Sequence, residues 1–263
     1  SGRVLRREDA MEKIKNIRKK LRHQRSVRRR KLGLSTPTQI ICVSFIIVIA
    51  LGTLLLTLPI ASRHGRLDVL NAMFTATSAT CVTGLVVRDT WTQFTWFGQA
   101  VVLLLIQVGG LGLVTLTSFF ALAMRRRMGF RDLRLLGESV SADGYDQAKS
   151  VLKIVVGLAA MFEGIGILLL LFAFVPQFGL EGVWISVFTA ISAFCNAGFD
   201  LFGRFGAYSS LVPYVNNYYV QAVIMFMIIS GGLGFMVWVE LCQWYKKRRL
   251  SLHAKVVLSF SVI

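Results

Sequence analysis

Two short stretches hold the residues with the most chemical potential. Phe74-Thr75-Ala76-Thr77-Ser78-Ala79-Thr80-Cys81-Val82-Thr83-Gly84 aligns without gaps on Phe188-Thr189-Ala190-Ile191-Ser192-Ala193-Phe194-Cys195-Asn196-Ala197-Gly198. Seven of the eleven positions are identical, at an offset of 114. Neither stretch sets a nucleophile beside a base. Cys42, Cys81, Cys195 and Cys242 show no CxxC spacing, and His23, His64 and His253 share no segment, so zinc and acid–base catalysis have no support. What both stretches offer is backbone. Each closes in a short loop, Cys81–Gly84 and Cys195–Gly198, and glycine accepts angles that can turn successive carbonyls into one channel. Rings of backbone carbonyls can replace the hydration shell of an ion. The chemistry is coordination, and no enzyme is expected.

Such loops need elements that hold them, and the apolar pattern supplies two kinds. Ile40–Leu58, Phe97–Met124, Val151–Val175 and Val220–Trp244 are long enough to cross a hydrocarbon core roughly 30 Å thick. Between the members of each pair lies a shorter segment, Asp68–Thr80 and Glu181–Ala193, too short to cross. A short helix that enters a bilayer and turns back leaves carbonyls unpaired, which lipid forbids unless they line a watery cavity or bind something. The order span, half-helix, span thus occurs twice. Gly109-Gly110-Leu111-Gly112 and Gly231-Gly232-Leu233-Gly234 repeat at an offset of 122, so the second unit has a longer outer loop.

Composition agrees with this partition. Of 263 residues 55% are hydrophobic and 16% charged, yet the net charge is +17. Residues 1–32 carry 14 Lys and Arg against 3 acids, so most of the excess sits in an amino-terminal arm. A self-contained water-soluble enzyme is excluded. The basic clusters Arg28–Lys31, Arg125–Arg127 with Arg131 and Arg134, and Lys246–Arg249 fall on one side if both half-helices dip from the other. The positive-inside rule then puts the amino terminus in the cytoplasm. Arg63, Arg66 and Arg88 breach the rule in a minor way. The half-helix carboxyl ends, each with about half an electron of negative charge, would point to mid-membrane, which suits a cation. The arm reads as a solvated tail, a helix on anionic lipid, or a docking strip for a cytoplasmic partner. No nucleic-acid module is present, so no nucleic acid is expected as a partner.

The motif around Ser78–Leu85, the motif Ala193-Phe194-Cys195-Asn196-Ala197-Gly198-Phe199-Asp200 and the two Gly-Gly-Leu-Gly clusters together resemble the Trk/Ktr/HKT superfamily of potassium transporters, most closely the Ktr-type membrane subunit. The likeness runs from about Ser35 to the end. It implies an all-α membrane protein of span–pore helix–span repeats with re-entrant filter loops, multi-pass in the cell membrane. In the complete subunit four repeats would surround a pseudo-fourfold pore. By resemblance Gly84 and Gly198 are filter glycines, and Cys81, Val82, Thr83, Cys195, Asn196 and Ala197 offer carbonyls to potassium, with sodium as a second ion. A serine at the first filter glycine accompanies sodium preference in plant relatives, so Gly84 implies potassium. Neither loop is the full Thr-Val-Gly-Tyr-Gly of a potassium channel, and looser selection follows. The family also implies a homodimer and a cytoplasmic ring of nucleotide-binding subunits that gates it.

The chain is accordingly divided into a basic arm, 1–34, a first repeat, 35–127, a linker with a second repeat, 128–249, and the start of a truncated third, 250–263. It is expected to be a piece of a four-repeat subunit. The alternatives are two chains that build one pore between them, or a non-conducting or regulatory membrane subunit that assembles with a full-length paralogue. Further ion-site candidates are Thr80, Glu163 and Asp200. Glu163 lies mid-span, where an ionisable group is costly, and reads as a structural hydrogen bond to a pore helix or as part of a cation or proton path. Asp200 and the Arg88-Asp89 pair would face an outer vestibule, to gather cations or simply as solvated charge. Glu240 is expected to reach toward Lys246 and Lys247, the glycine clusters to pack helices or hinge them, and the Trp and Tyr residues near span ends to form an aromatic belt.

Overall fold

The computed structural model describes residues 37–127, 140–235, 237, 238, 240, 241, 244 and 251–262. The basic arm, Arg131, Arg134, Cys242 and the cluster 246–249 lie outside the described residues, and with them the orientation argument and the lipid and docking readings of the arm. The chain divides into two compact units, 1–47 and 48–263. The packing below is that of the second.

The described residues are helical, with no strand beyond one isolated bridge between Ser62 and Phe94. Helix α1, Pro37–Leu56, opens on proline, whose missing N–H costs nothing in a first turn. Helix α2, Val69–Thr80, has 12 residues, and after a single turn at Thr90–Gln93 comes α3, Trp96–Arg127, with 32. Helix α4, Val140–Phe178, has 39 residues; α5, Leu180–Phe194, has 15; α6 is Tyr218–Gly232 and α7 is Leu252–Val262. The order long, short, long holds for α1 to α3, whereas in the second half a long α4 is followed by two helices of 15 residues each. By length and composition one described segment, Lys153–Phe178, is apolar enough over a sufficient run to cross a membrane. The expected span Val220–Trp244 is interrupted, because α6 ends at Gly232 and the chain turns at Gly234, where φ is +80°. The first cluster causes no such break, and α3 runs through Gly109–Gly112.

Helix α5 packs against α3, α4 and α6, so the second short helix is held on several sides. Its buried face carries Ile185, Phe188 and Phe194. Nearby, Phe174 meets Phe202 and Tyr214 edge-on, with ring centroids 5.5 and 5.3 Å apart. Edge-to-face contacts of this kind add to the burial of the rings themselves. On the outward faces of α4 and α6, Leu168, Phe172, Met225 and Ile229 are exposed, so these helices are apolar on more than one side. That is the composition of a helix solvated by lipid rather than water.

Within the second unit, two polar ties join the stretch before residue 127 to the stretch after residue 140. Gln99, wholly buried, donates to the Phe94 carbonyl at 3.2 Å and accepts the Trp184 indole N–H at 2.8 Å. The half-buried Trp184 ring also stacks on the exposed Trp96, with centroids 5.6 Å apart. Asp89 is 7% exposed and accepts the backbone N–H groups of Thr92 at 2.8 Å and Tyr208 at 3.0 Å. The vestibule reading of Asp89 is thereby corrected: its carboxylate is committed to two backbone donors and pressed against Gly203.

Candidate ion-coordinating loops

Both short helices end in the same backbone. Cys81 N–H bonds to Thr77 O at 2.8 Å and Cys195 N–H to Ile191 O at 2.9 Å, which completes the last helical turn. The chain then enters the left-handed region at Val82, φ 56°, and Asn196, φ 57°. Val82 N–H returns to Ala79 O and Thr83 N–H to Ser78 O; Asn196 N–H returns to Ala193 O and Ala197 N–H to Ser192 O. This pair of reversed bonds is a Schellman cap. Asparagine suits its left-handed position, whereas a β-branched valine there is an outlier held by its surroundings. Two residues on, Gly84 and Gly198 take φ of 73° and 72°, angles that glycine adopts without strain.

The loops meet at these glycines. A Cβ on Gly84 would lie 2.9 Å from Ala197 O and 3.4 Å from the Gly198 Cα. A Cβ on Gly198 would lie 3.2 Å from the Gly84 Cα. Of the residues named from sequence, the structure thus brings together Gly84, Ala197 and Gly198, while Cys81, Val82, Cys195 and Asn196 border a cavity of about 300 Å³ with Gly110 and Gly231. Thr83 is turned back, with its hydroxyl 2.9 Å from Ser78 Oγ. Thr80 is buried at the end of α2, and no hydrogen bond reaches its hydroxyl. Asp200 follows the second loop, where it accepts the Phe202 N–H at 2.9 Å. Burial pushes its carboxyl above the ordinary aspartate range and the Asp89 carboxylate adds to this, against the bonds from Phe202 and Ser210.

Sequence reasoning missed the residues that hold the loops. Ser192 Oγ donates to Phe199 O at 2.6 Å and accepts the Phe199 N–H at 3.1 Å, which fixes the chain that leaves the second loop. Ser78 occupies the aligned position in the first stretch, and the identity of the two serines was the available signal. The glycine clusters act by close approach. A Cβ on Gly109 would strike the Thr80 carbonyl oxygen, and one on Gly231 the Phe194 carbonyl oxygen, the last helical residue in each case. Glu163, expected to bond to a pore helix, instead accepts from Gln107 Nε2 on α3 at 2.8 Å. Glu240 accepts from the Ser251 backbone N–H and hydroxyl at 3.1 and 2.7 Å, at the start of α7; its expected partners Lys246 and Lys247 lie outside the described residues.

Compared with known proteins, residues 11–262 match TrkH, a family described as cation transport protein. The chain belongs to the TrkH family. It is 36% identical over 230 residues to the potassium/sodium uptake protein NtpJ of Enterococcus hirae, covering 87% of this chain and 50% of that one. The Ktr system potassium uptake protein B of Bacillus subtilis is 38% identical over 225 residues, or 85% of this chain and 49% of the relative. Protein D of the same organism's Ktr system is 32% identical over 208 residues, covering 78% and 45%. The chain spans about half the length of these relatives. The resemblance drawn from the loop and glycine motifs is borne out at the level of family, and a TrkH-family chain of this composition is a helical membrane protein.

Proposed function

We propose that this chain contributes to a pore for potassium uptake, in which carbonyls of Cys81–Gly84 and Cys195–Gly198 take over the hydration of the ion. The observation that carries this reading is the pair of loops with one backbone form, at the ends of two short helices, in contact through Gly84 and Gly198. Electrostatics favour it, because both helix carboxyl ends direct partial negative charge toward the loops. The names of its relatives add the cargo: potassium, and for one of them sodium as well. Uptake would be driven by the membrane potential, worth about 2.3 kcal/mol per charge per 100 mV. In this reading the short helices are re-entrant, the amino terminus is cytoplasmic and subunits pair as homodimers. A cytoplasmic ring of nucleotide-binding subunits would gate the pore, with sodium as a second ion.

The test is Gly84→Ser in the full-length protein, assayed by rubidium and sodium uptake in a transport-deficient cell. A side chain at φ 73° is strained and sits 2.9 Å from Ala197 O, so the loop must shift and discrimination of potassium over sodium should fall. Unchanged ion preference would remove the filter assignment.

A further inference from the structure

Glu163 belongs to neither loop. It is 8% exposed, lies on α4, and accepts one hydrogen bond, from Gln107 Nε2 at 2.8 Å. Gln107 lies on α3, 56 residues earlier in the chain, and its Oε1 faces the Cys195 thiol at 4.0 Å. Three groups on three elements thus form one line: a carboxylate, an amide, and the first residue of the second loop. The amide is a neutral partner: it satisfies one carboxylate oxygen, and among the described residues no cation is paired with Glu163. A carboxylate charge in a low-dielectric interior acts over a longer range than it would in water. Cys195, at the end of this line, borders the cavity under the loops together with Cys81, Val82 and Asn196. An amide dipole with its N–H on the carboxylate and its C=O toward the thiol passes the negative end along the same line.

We propose that Glu163, acting through Gln107, makes the cavity beside the second loop attractive to cations and so sets ion occupancy there. This makes it a positioning and electrostatic residue for conduction, and it rests on the pore reading above. Gln107 has no counterpart on α6: the residue at an offset of 122 is Ile229. The two loops, alike in backbone, therefore differ in the field applied to them.

The charge can be read without transport. In a full-length chain with every cysteine except Cys195 replaced by Ser, Cys195 is modified with a cationic and with a neutral methanethiosulfonate reagent, and the ratio of the two rates is recorded. Glu163→Gln keeps an oxygen for Gln107 and removes the charge, so the ratio should fall several-fold; Glu163→Asp should keep it. In parallel, E163Q should raise the half-saturating rubidium concentration several-fold with a smaller change in maximal rate. An unchanged ratio in E163Q overturns the proposal. If E163Q does not accumulate, Glu163→Met carries the same expectation. A lowered ratio in a protein that takes up no rubidium would sustain the charge and refute the pore.

Discussion

Replacing Gly231 by alanine tests the link between the glycine clusters and the loops. The new Cβ would lie 2.8 Å from the Phe194 carbonyl carbon and closer still to its oxygen, where ordinary contacts start at 3.4 Å. Helix α6 must therefore retreat by more than half an ångström or the carbonyl must swing. Swinging is expensive, because the Phe194 carbonyl and the Cys195 N–H belong to one rigid peptide unit. That N–H closes the last turn of α5 onto Ile191 O at 2.9 Å, and the loop begins there. Overpacking of this kind costs about 1–3 kcal/mol, offset in part by the ~1 kcal/mol helix preference of alanine over glycine. Gly157→Ala is the control, since a Cβ there meets nothing within 4 Å. Melting of the detergent-solubilised protein should show G231A destabilised and G157A unchanged or slightly improved. Rubidium uptake per folded molecule should fall in G231A alone, because the displaced peptide unit is the root of the loop. If the two variants melt and transport alike, the idea that these glycines seat the loops is wrong.

Ser192→Ala removes both bonds to Phe199 and leaves a buried N–H and C=O unpaired, which should lower stability by about 2–3 kcal/mol and loosen the exit from the second loop. Hydrogen exchange at Phe199 would register this, and unchanged protection there would contradict it. For Asp200 the sign follows from its raised folded pKa. Between the ordinary aspartate value and the raised one the folded state holds a proton that the unfolded chain releases. Stability should therefore fall as pH rises through that window and level off above it. Asp200→Asn should flatten this slope and melt higher than wild type at neutral pH; a retained slope would assign it to another group.

The two short helices were legible as runs too brief to cross a bilayer, and α2 and α5 fall within a residue or two of their expected bounds, whereas the expected span from Val220 breaks at Gly232. The loops were legible because they repeat. What sequence could not supply was direction. Asp89 reads as an exposed loop acid until Tyr208, more than a hundred residues on, folds over it. Gln107 is a lone amide in an apolar run, and its role appears only when α3, α4 and the second loop are set side by side. The Val82 conformation was hidden for the opposite reason. Valine disfavours the left-handed region, and only the cap around it enforces the shape that Asn196 adopts with ease.

The ties at Gln99 and Asp89 also bear on how the protein is made. A nascent chain that has delivered only its first helical unit carries a buried amide whose oxygen awaits the Trp184 indole, and a carboxylate that awaits the Tyr208 N–H. Until those partners arrive, the two groups lack the donors that satisfy them in the folded chain. The first half is therefore an unfinished object until the second emerges. Mutations at Trp184 or Tyr208 would then surface as defects in the biogenesis of a unit in which neither residue resides.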